Sequence, residues 1–152
     1  MEDYVGMAKM NRPSSAIAGG IAGTAILSLL MILLEVQTRS QVHIFDAIAR
    51  FVGLPNNILI GFVLFVAAGV FAWPLLFIAL EPYIPRGPDP AARGIVFAFV
   101  LWLAFVIAGR GSIGWPLIIV YAGLTLLAHL AYGFTLGAVY ASLREENVAD
   151  TA

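Results

Sequence analysis

The chain has 152 residues, 61% of them hydrophobic and 11% charged, against about half and a quarter in an ordinary soluble domain, and its mean hydropathy is +0.95. These values exclude a disordered chain and argue against a soluble globular one. A net charge of -1 with no basic stripe excludes a nucleic-acid binder. The absence of cysteine removes disulfides, thiolate nucleophiles and thiolate metal sites.

The first apolar block, residues 15–34, is about 30 Å long as a helix at ~1.5 Å per residue, which crosses the hydrocarbon core. It is preceded by Lys9 and Arg12 but is too long for a signal-peptide h-region and runs into Glu35-Val36-Gln37-Thr38 without a small-x-small cleavage site, so it reads as an uncleaved first helix. In residues 40–53, Ile44, Phe45, Ile48, Phe51 and Val52 recur at helical spacing opposite His43, Asp46 and Arg50. This predicts a short amphipathic helix lying in the interface plane, its aromatic face in the lipid or against the bundle, ended by Gly53-Leu54-Pro55. Asp46 and Arg50 form an i,i+4 pair.

The second span, 58–80, contains Trp73-Pro74, which predicts a kink between Gly69 and Pro74. The loop 81–90 holds four of the eight prolines and reads as stiff and extended. The third span, 91–108, is short, and the connection after it, 109–114, is brief enough to make the third and fourth spans antiparallel neighbours. The fourth span, 115–143, is longer than a bilayer requires. The fold class is therefore all-α: a four-transmembrane-helix bundle with a short interfacial amphipathic helix between helices 1 and 2, one integral membrane domain over 1–152. Lys9, Arg12, Arg86, Arg93 and Arg144 fall on one side and Arg39, Arg50 and Arg110 on the other, which favours a cell-membrane protein with both termini in the cytoplasm.

His129 lies near the middle of the fourth span, where an ionisable side chain is costly and turns to the bundle interior or a wet cavity. Tyr132 is its i+3 neighbour and Tyr121 lies two turns earlier. The three make a candidate polar site for a substrate, a proton or a metal. The plainer reading is a neutral imidazole donating one interhelical hydrogen bond, and the lack of ionisable partners favours it. A bis-histidine haem needs a second intramembrane histidine, and His43 is interfacial, so no metal or other cofactor is expected.

Gly19-x-x-x-Gly23 and Gly20-x-x-x-Thr24 in the first span, and Gly133-x-x-x-Gly137 followed by Ala141 in the fourth, are grooves for close helix approach, internal packing being the first expectation and a partner protein the second. Glu35 and Arg110 sit at span ends on one side, where snorkelling is the default and a rim salt bridge the alternative. Trp73 and Trp102 fall inside spans as packing or lipid-facing residues, while Trp115 and Tyr83 suit an aromatic belt. No phosphate loop, catalytic triad or paired intramembrane carboxylates are present, so the chain is not expected to be an enzyme.

The string His129-Leu-Ala-Tyr132-Gly133-Phe-Thr-Leu-Gly137-Ala-Val-Tyr140 resembles the closing signature of uncharacterised archaeal and bacterial four-helix membrane proteins of the YagU-like group. The opening Gly19-Gly20-Ile-Ala-Gly23-Thr24, the interfacial Phe45-Asp46 to Gly53 segment and the Pro-rich loop stand in the same order. The chain departs from that pattern in lacking a histidine in Gly61-Phe-Val-Leu-Phe65. The resemblance implies an accessory role in a respiratory membrane complex such as a terminal oxidase. The leading expectation is thus a non-catalytic accessory subunit whose partners are other membrane subunits, copies of itself and lipid. The alternative is a small homo-oligomeric transporter or channel around His129, Tyr132 and Tyr121.

Overall fold

The computed structural model describes residues 9–38, 43–85, 87–109 and 113–144. Among them the regular structure is helical, and four helices are long and apolar enough to cross a membrane. The first, α1 (Arg12–Gln37), starts earlier than hydropathy alone suggests. Asn11 caps it, its side chain accepting from Ser14 N at 3.0 Å, and Pro13 fits the first turn. Hydropathy marks the slice in hydrocarbon, whereas caps mark the helix.

Helix α2 (Ile44–Phe51) buries Ile44, Phe45 and Ala49. The Phe45 ring meets Phe62 and Phe65 edge-on at 5.3 and 5.6 Å, so this part of the apolar face lies against the bundle, while Phe51 stays exposed. The Asp46–Arg50 pair forms at 3.1 Å. Gly53, at φ 76°, supplies the left-handed turn that ends the helix, with Gly53 N donating to Arg50 O and Leu54 N to Ala49 O. Residues 40–42 of the expected helix lie outside the described residues.

The second span, Ile58–Tyr83, comprises α3 (Ile58–Ala67), a π-helical turn (Ala68–Ala72), α4 (Trp73–Leu80) and a 3-10 turn (Glu81–Tyr83). The expected kink is this π turn. Pro74 has no N–H for the carbonyl of Val70 and its ring would crowd that carbonyl, and widening the helix by one residue accommodates both. Gly20 of α1 packs on the same place: a Cβ there would strike the Pro74 ring and stand 2.9 Å from Gly69 O.

Helix α5 (Pro90–Gly109) is capped by Asp89, whose side chain accepts from Ala91 N at 3.0 Å, and it is long enough to span. Helix α6 (Leu117–Leu143) follows. It is the centre of the bundle, packed on α5 along one side and on α1 along the other, while α1 also packs on the π turn and α4. The third and fourth spans are neighbours, as the short connection requires. Gly19 and Gly23 of α1 meet the backbone of Leu136 and Tyr132, and Gly133 and Gly137 of α6 meet the backbone of Gly94 and Pro90 in α5. All four glycines are therefore consumed by packing within the chain. Helices α3 and α5 make little contact with each other, and α2 bridges the gap between them.

Candidate functional site

That gap holds a cavity of about 260 Å³. Leu27 of α1, Ile48 and Phe51 of α2, Leu64, Gly69 and Trp73 of the second span, Phe105 of α5, and His129 and Tyr132 of α6 line it. Among the described residues no Asp, Glu, Lys or Arg is part of its walls. Phe51, Trp73, Ala104 and Ala108 are both wall and exposed surface, so the cavity reaches the face of the bundle that meets lipid.

His129 is buried, as its mid-span position predicts. Its Nδ1 lies 2.7 Å from Thr125 O, one turn back on its own helix. A carbonyl can only accept, so Nδ1 carries the proton, and the neutral ring then holds its lone pair on Nε2, on the ring edge turned away from the backbone. The hydrogen bond is intrahelical, which corrects the expected interhelical one: the i−4 carbonyl is the nearest acceptor for a ring folded along its helix. Nε2 has no partner among the described residues. The Phe105 ring packs on the imidazole at 5.1 Å.

Tyr132 donates from Oη to Gly69 O at 2.8 Å, across to the π turn. That bond joins α6 to the irregular backbone of the second span and takes up a carbonyl at the cavity wall. Tyr132→Phe is expected to cost about 0.6–1.5 kcal/mol, in the range of interhelical hydrogen bonds in membranes, read as a lower unfolding midpoint in detergent. Tyr121 is buried but is not part of the wall; its ring stacks on Phe105 at 6.0 Å, and its hydroxyl has no partner among the described residues. The structure thus joins His129 and Tyr132 in one cavity and leaves Tyr121 behind Phe105.

At the span ends, Glu35 is half buried and its Oε2 has no partner among the described residues; Arg110, its expected rim partner, lies outside them. Trp102 packs inward, its Nε1 donating to Ala122 O at 3.1 Å and Thr125 Oγ1 at 3.2 Å. Trp115 and Tyr83 are highly exposed, as belt residues are.

A second polar centre was not anticipated from the sequence. Glu81, at the end of the second span, has a side chain only 4% exposed and receives Arg12 of α1 at 3.2 Å, Arg93 of α5 at 3.3 Å and Arg144 after α6 at 3.7 Å. Tyr140 donates to the same carboxylate at 3.0 Å and accepts from Arg12 Nε at 3.0 Å. One carboxylate thereby ties the ends of all four spans. The sequence carries a signal for it, since these three arginines lie at span ends on the side where Glu81 falls.

No curated protein and no solved structure matches the chain. The model of a family described as "Family of unknown function (DUF6789)" matches residues 10–151, nearly the whole four-span bundle with its cavity and its Glu81 centre, and the chain belongs to that family.

Proposed function

We propose that this membrane protein is a non-catalytic binder of a lipophilic molecule that enters from the bilayer and places a hydroxyl group on His129 Nε2. The observation that carries this is a buried imidazole, its Nε2 without a partner among the described residues, lining a largely apolar cavity. A cavity of about 260 Å³ that opens toward lipid gains contacts when an apolar molecule from the bilayer fills it. An acyl chain fills it but leaves Nε2 unsatisfied, whereas a ring or chain bearing a hydroxyl satisfies both. Prenyl alcohols and hydroquinones have that chemistry. The arginine distribution supports cytoplasmic termini, which would put the Glu81 centre on the cytoplasmic side and α2 on the outer side.

An accessory-subunit role remains compatible with the scarcity of acid–base groups, but the glycine grooves that would have served a partner are filled internally. A transporter around His129 and Tyr132 is supported less, since the described wall residues offer no charge to carry an ion.

The test is equilibrium binding of decylhydroquinone and of its dimethyl ether to the full chain in nanodiscs, read by tryptophan quenching at Trp73. The hydroquinone is expected to bind about tenfold tighter, the equivalent of one hydrogen bond of roughly 1.4 kcal/mol, and His129→Leu to erase that difference. Equal affinities in the parent, binding of neither, or a preference that survives His129→Leu would overturn the reading.

A further inference from the structure

The Glu81 centre has more positive charge than its own carboxylate neutralises. Three guanidiniums converge on one side chain, so within the cluster three positive charges meet one carboxylate. The arrangement is layered. The Glu81 side chain is 4% exposed, while those of Arg12, Arg93 and Arg144 are 50%, 21% and 37% exposed, so the carboxylate lies beneath and the cations face outward. Each arginine also keeps donors in reserve. Arg12 uses Nε on Tyr140 and Nη2 on Glu81 and Ile78 O; Arg93 uses Nε on Gly87 O and Nη1 on Glu81; Arg144 reaches Glu81 only through Nη1. Arg12 Nη1, Arg93 Nη2 and two nitrogens of Arg144 are left without a protein partner among the described residues.

Arg12 reaches Oε2 and Arg93 and Arg144 reach Oε1 of the same carboxylate, so the three guanidiniums are held around one point, and planar N–H forks match phosphate oxygens two at a time. The position suits a phosphate: the cluster joins the ends of four helices long and apolar enough to cross a membrane, and span ends are where headgroup phosphates are met. We propose that Arg12, Arg93 and Arg144, held together by buried Glu81, form a binding site for one phosphate group. Two sources share this chemistry, the headgroup of an anionic phospholipid and a free phosphate. Glu81 is a positioning residue here: it holds the three cations against their mutual repulsion and is not itself offered to the ligand.

The experiment is native mass measurement of the full chain released from nanodiscs of equal phosphatidylglycerol and phosphatidylcholine, with and without millimolar inorganic phosphate. The parent is expected to retain one phosphatidylglycerol in preference to phosphatidylcholine. The double variant Arg93→Gln/Arg144→Gln, which leaves Arg12 on Glu81, is expected to lose that preference on the order of tenfold, while Arg50→Gln at the opposite end leaves it unchanged. Displacement by inorganic phosphate assigns the site to free phosphate, and resistance assigns it to the lipid headgroup. Circular dichroism of the double variant verifies that the helices persist. Should it unfold, the single variants Arg93→Gln and Arg144→Gln carry the same comparison. No preference in the parent for either phosphate source, or an equal loss in Arg50→Gln, overturns the proposal.

Discussion

Glu81→Gln is expected to destabilise the bundle by about 3 kcal/mol, measured as a lower unfolding midpoint in detergent. Removing one member of a buried ion pair costs roughly 3–5 kcal/mol because the charge left behind is unpaired. The lower end applies, since the guanidinium side chains are 21–50% exposed and partly rehydrate. The effect is asymmetric. Arg144→Gln removes a contact of 3.7 Å from a side chain 37% exposed, so it should cost less than about 1 kcal/mol. Arg12, Arg93 and Tyr140 still serve the carboxylate in that variant. Equal shifts for the two variants would contradict a centre organised around Glu81.

Gly133→Ala is expected to cost about 2–3 kcal/mol by forcing α5 away from α6. Its Cβ would fall on the Gly94 carbonyl and on Ala98 Cβ. Neither is the free end of a flexible side chain, so the helices themselves must separate. Gly123→Ala on the same helix is the control. A Cβ at Gly123 meets nothing within 4 Å, and alanine is the better helix former, so that variant should be unchanged or stabilised by up to about 1 kcal/mol. Unfolding midpoints of the two variants in the same detergent decide the matter: similar losses would contradict a cost set by the α5–α6 contact.

The features legible beforehand are local ones. A run of twenty apolar residues dictates a span because an unsatisfied backbone cannot sit in hydrocarbon, and Pro74 disturbs its helix because its ring and missing N–H act within one turn. The direction of His129 was legible for the same kind of reason, since a mid-membrane imidazole avoids lipid. Features that depend on separate spans meeting were not. Tyr121 and Tyr132 fall on nearby faces of one helix, yet Phe105 from α5 screens one and leaves the other on the cavity wall. Small residues four apart mark a close approach without naming its partner, and the pairing of Gly133 with Gly94 rather than with another protein is a property of the packed bundle.

By itself, then, the sequence of this chain determined its solvent, its four spans, the short helix between the first two and the inward turn of His129, all set by how each stretch of backbone and side chain partitions between water and lipid. Tertiary structure decided the rest: the gap between α3 and α5 that becomes a cavity, and the convergence of Arg12, Arg93 and Arg144 on Glu81 from residues up to 132 positions apart in charge-poor text. Partition is a property of segments, whereas a cavity or a charge cluster exists only where segments distant in the chain are brought together.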